Sequence, residues 1–324
     1  MHVDAVDQIK TWASSRATHL LALGLICFGA LVPARASIAP SPWPAPYGAP
    51  VVDSVTVTPE YDWNWLADHL GGRSGRLRAR MVLPSDALFD RLSTLLPAMD
   101  MSARLPGVRA LPGGNSLITL VPFGLKRGSR VEGYRVGTWP SERRVPRSGA
   151  YANPSGFILV TEDNQHTPLS EHFRLRDFLT HDQGEVWPKA LVLREELIDK
   201  LELVIEDLTA HGVPVNSMRV LSGFRHPRYN NALVAGALGA VSDSRHQYGD
   251  AADVIVDNDG DGTMDDLNRD GRVDLRDARV ILAAVERVER VHPELAGGVG
   301  LYRGRVCGPF AHVDARGHRA RWGA

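Results

Sequence analysis

Cysteine is nearly absent from this 324-residue chain, with Cys27 and Cys307 the two present. Cys27 lies inside an apolar N-terminal run that is expected to be removed. Cys307 is then alone, which excludes an intramolecular disulfide and suits a small apolar filler. Net charge is also lacking. Lys and Arg number 37 against 38 Asp and Glu, a formal net charge of −1, so there is no electrostatic footprint for a nucleic-acid partner. The apolar run Leu20 to Val32 covers 13 positions, short of the roughly 20 needed to span a bilayer. What remains is ordinary globular composition, 44% hydrophobic and 23% charged, with length for about two domains of roughly 100–200 residues.

Lys10 and Arg16 precede the apolar run, and Ala34-Arg35-Ala36 stands before Ser37 as a small-x-small cleavage pattern. Residues 1–36 therefore read as a secretory signal, which places the chain in the periplasm or the extracellular cell envelope. Membrane contact is expected only through this segment, if it is uncleaved. Ile26 before Cys27 is not the small residue a lipidation site wants. Residues 37–60, rich in Pro and Ala, read as an extended linker.

Residues 61–168 form an accessory region. It opens with two short helices, Trp63–Leu70 and Ser85–Leu96. Between residues 105 and 165, runs such as SLITLVPFGL and GFILVTE are split by Gly, Pro and Ser, which reads as a small β-rich module. From His172 the pattern becomes α+β. Leu191 to Leu208 carries Leu193, Leu197, Leu201, Val204, Ile205 and Leu208 on one helical face, and Ala278 to Val291 is a second periodic helix. Val220–Ser222, Ala251–Val256 and Phe310–Asp314 read as strands. The expected fold is an antiparallel sheet with helices on one face, carrying the site and preceded by the β-rich module.

Two segments hold the chemistry, SRHQYGDAAD (Ser244 to Asp253) and FAHVDARGHRARW (Phe310 to Trp322). Gly249 permits a tight turn between His246 and Asp253. Asp253 interrupts an apolar strand, where a carboxylate is costly unless paired or metal-bound. His312 sits in a similar strand. Two imidazoles and a carboxylate suit a catalytic zinc ion with a fourth position open, and two strands can aim them at one point. Singly, each would be unremarkable.

The linked pattern S-x-H-x2-G-x-A-x-D followed by H-V-D, with LSEHFRLRDFL (Leu169 to Leu179), SGFRHPRYN (Ser222 to Asn230) and GVGLYRGRVCGPFAHVDARGHRARW (Gly298 to Trp322), resembles the zinc D-alanyl-D-alanine carboxypeptidases of bacterial cell-wall metabolism. These are relatives of the vancomycin-resistance dipeptidases and share a zinc cradle with the hedgehog fold. The resemblance covers residues 169–324. It implies that His246, Asp253 and His312 bind zinc and that Arg225 holds a substrate carboxylate or carbonyl, for which its planar fork is suited. Ser244 is a candidate to hydrogen-bond substrate. Many members carry an acidic general base three positions before the last His. Pro309 stands there in this chain and cannot act as one. Asp314, on the same strand face as His312, is the candidate base or, equally, a group that orients a ligand.

The insert 257–278 is dense in Asp. Asp266, Asn268, Asp270, Arg272 (by its carbonyl), Asp274 and Asp277, with Gly271 for the sharp turn, match the positions of a calcium loop and look like half of a dockerin module. A complete dockerin needs two such units, so no cohesin partner is expected. An overlapping register uses Asp257, Asp259, Asp261, Gly262 and Asp265. The Asp266 register is favoured because a helix follows it at once.

The expected function is therefore a zinc peptidase, with calcium as a second expected metal, hydrolysing peptidoglycan stem peptides as a D,D-carboxypeptidase. The alternatives are a murein endopeptidase that cuts cross-links and a non-catalytic zinc protein that binds the cell wall.

Overall fold

Short β-prone runs in the first half of the chain pair into small sheets. The computed structural model describes residues 70–89, 104–237, 240–304 and 307–323, all within one compact unit, Ala49–Ala324. The expected signal, linker and Trp63–Leu70 helix lie outside the described residues except for Leu70, and of Ser85–Leu96 only 85–89 are described. Among the described residues no helix is long and apolar enough to cross a membrane.

Strands β1 (Ala79–Val82), β2 (Gly107–Ala110) and β3 (Ser116–Thr119) form a sheet in the order β1-β3-β2, with β1 parallel to β3. Strands β4 (Val121–Pro122), β5 (Arg130–Val131) and β6 (Tyr134–Arg135) follow, the last two as a hairpin. β7 (Gly156–Val160), the continuous apolar run GFILV, is buried along its whole length. It pairs on one side with β4 and on the other with β8 (Lys189–Leu191). The β-rich module thus shares a sheet with the C-terminal region, and residue 168 is not a packing boundary. Trp139 reinforces this. It is fully buried against Phe123, Phe157 and Phe224, and its Nε1 donates to the Gln247 carbonyl at 2.8 Å.

Helix α1 spans Glu195–Ala210. It begins later than the expected Leu191 because residues 189–191 pair with β7, and Glu195 and Glu196 then favour the positive N-terminal end. The apolar stripe is buried as expected. The same helix also buries Asp199, Lys200 and Glu202, a polar row that periodicity does not show. Asp199 accepts from the backbone N–H groups of Arg73 and Ser74, and Glu202 from that of His172.

Strand β9 (Met218–Ser222) leads to helix α2 (Pro227–Ala235), then β10 (Ala251–Val256), helix α3 (Leu275–Val291), β11 (Gly298–Arg303), β12 (Pro309–Asp314) and β13 (Ala320–Trp322). α3 starts at Leu275, three residues before the expected Ala278. Asp274 caps it, accepting from Arg276 N–H at 2.7 Å, while Asp277 reaches back to Asp274 N–H at 2.7 Å. The five strands form one sheet in the order β13-β11-β12-β10-β9, antiparallel except for the β11–β13 pair. α3 packs on β11 and β12, and α1 on α3. The fold is α+β.

Candidate metal centre

Register decides which side chains meet. Asp253 on β10 lies opposite His312 on β12 and opposite Ser222 on β9. Cross-strand partners share a sheet face, so the carboxylate and the imidazole emerge side by side. Val254 and Ala311 form the next pair and are fully buried. His246 arrives from a short turn, Arg245–Tyr248, which ends at Gly249 with φ +72°. A Cβ there would stand 2.5 Å from the Val192 carbonyl oxygen, so both the backbone conformation and the close approach require glycine.

The three side chains converge. His246 Nε2 is 3.0 Å from His312 Nδ1 and 3.3 Å from Asp253 Oδ1, and His312 Nδ1 is 3.0 Å from Asp253 Oδ1. A tetrahedral zinc with bonds of about 2.0–2.1 Å would hold its ligand atoms roughly 3.3 Å apart. The spacing and the donor set fit that ion. Each ring is oriented from behind. His246 Nδ1 donates to the Gly223 carbonyl at 2.7 Å, and His312 Nε2 donates to Asp314 Oδ2 at 3.2 Å. These second contacts settle which nitrogen faces the cluster.

Electrostatics support ligation. Burial, reinforced by the Arg225 charge, lowers the His246 pKa to about 4, so its Nε2 lone pair is available at neutral pH. Burial alone would raise Asp253, but His246 and Arg225 more than offset it and hold the carboxyl well below the usual range. For His312, burial works downward and is outweighed by hydrogen bonds to Asp253 and Asp314, which raise it. A proton on His312 Nδ1 would lie among the three ligand atoms, where a metal cation would replace it.

Asp314 shares the strand face of His312 but is fully buried and does not line the cavity. Its oxygens accept from His312, from Gly298 N–H at 2.7 Å and from the Arg316 guanidinium. Burial pushes its pKa up, and His312 and Arg316 overcome that and lower it. A carboxylate so engaged orients a ring and is not placed to take a proton from a substrate in the cavity. Arg225 is close. It donates to Ser222 Oγ at 2.7 Å and pairs with Asp253 Oδ2. Ser244 lines the same cavity. Cys307 does not join the triad.

The triad opens on a cavity of about 740 Å³ lined by Arg147, Arg225, Arg245, Arg303 and Arg316, with Asp243 and Asp253 the carboxylates among its described lining residues. Trp322 forms one wall, its ring centroid 5.3 Å from that of His312. Gly300 makes room for it, since a Cβ there would meet Trp322 Nε1 at 2.2 Å. The sequence alone gives neither residue a role. The signal available was the alternation Gly298-x-Gly300, which strips one face of β11 beside His312.

The acidic insert divides in two. In the Asp266 register the carboxylates accept from backbone N–H groups and two of them pair with an arginine. Asp266 accepts from Asp270 and Gly271 N–H, and Asp277 from Leu267, Asn268 and Asp274 N–H. Asp270 and Asp274 pair with Arg276, and the exposed Arg272 N–H donates to Asp270 Oδ1. In the overlapping register, Asp257, Asp259 and Asp265 bring carboxylate oxygens within 4.8 Å of one another.

No protein-family model and no curated protein matches the chain. Among solved structures, the L-Ala D-Glu endopeptidase ChiX of Serratia marcescens is similar at 18% identity, over 38% of this chain and 82% of that one, with a TM-score of 0.26. A likeness at that score decides neither fold nor activity.

Proposed function

We propose that the chain is an exported, zinc-dependent peptidase acting on peptidoglycan stem peptides. The observation that carries this reading is the triad itself, three ligand atoms 3.0–3.3 Å apart at an arginine-lined cavity. When bound, zinc would supply Lewis-acid chemistry toward a scissile carbonyl and an attacking water. His246 through Nε2, Asp253 through Oδ1 and His312 through Nδ1 would hold it. Gly223 and Asp314 keep the two rings aimed. Arg225, fixed by Ser222, offers its fork to a substrate carbonyl or carboxylate. Five arginines line the cavity, four of them paired with carboxylates of the chain itself, and a free C-terminal substrate carboxylate that competes for them favours the D,D-carboxypeptidase reading.

The binding-protein reading retains two observations in its favour: Pro309 occupies the usual base position, and Asp314 does not line the cavity. Digestion of purified muropeptides by the full chain, followed by mass spectrometry, separates the readings. Release of D-Ala from pentapeptide stems, abolished by a chelator, is expected. Loss of cross-linked dimers without D-Ala release would make it an endopeptidase. Stoichiometric zinc with unchanged muropeptides would leave a binding protein.

A second expectation concerns the ring orienter. Asp314→Asn keeps the shape but removes the charge behind His312, and zinc affinity falls about 10–100-fold, as measured by competition with a chromophoric chelator. Unchanged affinity would show that Asp314 does not tune the ligand.

A further inference from the structure

Asp257 follows directly on β10, four residues after Asp253, and only 3% of it is exposed. Its Oδ2 accepts from Gly262 N–H at 3.1 Å and from Arg219 at 3.3 Å. Its Oδ1 is buried and has no hydrogen-bond partner. A buried carboxylate oxygen left in that state is expensive, and such groups are rare enough to need a cause.

Two more carboxylates lie beside this one. Asp259 and Asp265 each place an oxygen within 4.8 Å of a carboxylate oxygen of Asp257 and of each other. The loop is built to hold them there. Asp265 N–H donates to the Val256 carbonyl at 3.0 Å, Asp265 Oδ2 accepts from Asn258 N–H at 3.0 Å, and Gly260 and Gly262 turn the chain with φ of +77° and +87°. Three like charges at this spacing repel, and Arg219 is the one cation paired with them among the described residues.

We infer that Asp257, Asp259 and Asp265 form a calcium site, with the buried Asp257 Oδ1 as the oxygen the ion would satisfy. Alternating hard oxygen donors around a glycine turn are what calcium takes, and carboxylates without nitrogen or sulfur donors disfavour zinc. The site is therefore separate in chemistry from the His246–Asp253–His312 triad. It lies in the register that the sequence ranked second. In the first-ranked register Arg276 neutralises Asp270 and Asp274, and among the described residues no set of three carboxylates gathers there. An ion at Asp257 would tie the insert to the end of the strand that carries Asp253.

Calcium titration of the full chain, by calorimetry and by terbium luminescence, tests this without reference to peptidase activity. The unaltered protein is expected to bind calcium. Asp257→Asn and Asp259→Asn each weaken binding at least about tenfold by removing one of three charges, whereas Asp270→Asn leaves that site unchanged. Asp259 is exposed, so its variant keeps the test valid if Asp257→Asn does not fold. A second ion, lost in Asp270→Asn while the Asp257-dependent one persists, is consistent with the assignment. No calcium binding, or binding lost in Asp270→Asn and kept in both other variants, overturns it.

Discussion

His246→Ala loses zinc at stoichiometric level, and hydrolysis of muropeptides falls with it. The size of the effect follows from the ligand set. Zinc held by four protein ligands has an apparent binding free energy of roughly 10–16 kcal/mol, or about 3 kcal/mol per ligand, so deleting one ligand costs at least about 100-fold in affinity. His246 is the ligand to delete because its deletion disturbs the sheet least. It comes from a turn, whereas Asp253 and His312 are adjacent partners within the sheet. Its ring makes one outward contact, to the Gly223 carbonyl. The metal-free variant should therefore retain the far-UV circular dichroism of the metal-free parent. Metal analysis of the dialysed proteins is the measurement. A His246→Ala protein that keeps one zinc per chain and its activity would remove the triad from the mechanism.

The triad is legible in the sequence because its chemistry conflicts with its surroundings. Asp253 stands in AADVIV and His312 in FAHV, where apolar alternation gives each a defined face. Sequence could not show that the two strands are neighbours in register, with Asp253 directly opposite His312. Asp314 illustrates the same gap. Period-two alternation correctly places it on the face of His312, but only the arrival of Arg316 and Gly298 N–H turns it from a possible base into an orienter.

Packing crosses residue 168 for a related reason. Composition changes there, yet β7 finds its partner in β8 some 30 residues further along, and Trp139 hydrogen-bonds the turn that carries His246. Long-range pairing leaves no local mark. The β-rich segment is thus a support for the site. In the acidic insert, both calcium registers satisfy the spacing rule. What separates them is Arg276, whose reach to Asp270 and Asp274 depends on α3 starting at Leu275.

Behind the site lies a buried ionic cluster whose disruption should be costly and uneven. Lys200 on α1 is fully buried and donates to Glu289 Oε1 on α3 at 2.7 Å and to the Asp314 carbonyl at 2.7 Å. Glu289 also accepts from Gly297 N–H at 3.0 Å and from Arg321 at 2.5 Å. The partners are therefore not equivalent. Lys200→Met leaves Glu289 with Arg321 and a backbone donor, a loss of about 1–3 kcal/mol. Glu289→Leu leaves a buried ammonium with one carbonyl, and breaking a buried pair in this way costs about 3–5 kcal/mol. Burial already lowers the Lys200 pKa, with Glu289 opposing it, and removing Glu289 lowers it further. The unfolded chain keeps that proton to about pH 10.4, whereas the folded variant sheds it earlier. Between those two values the unfolded state binds more protons, so the stability of Glu289→Leu rises with pH across the window. Urea unfolding at neutral pH and near pH 9.5 would read both effects. Equal losses for the two variants, or a Glu289→Leu protein whose deficit widens as pH rises, would show that Lys200 is not the charge left stranded.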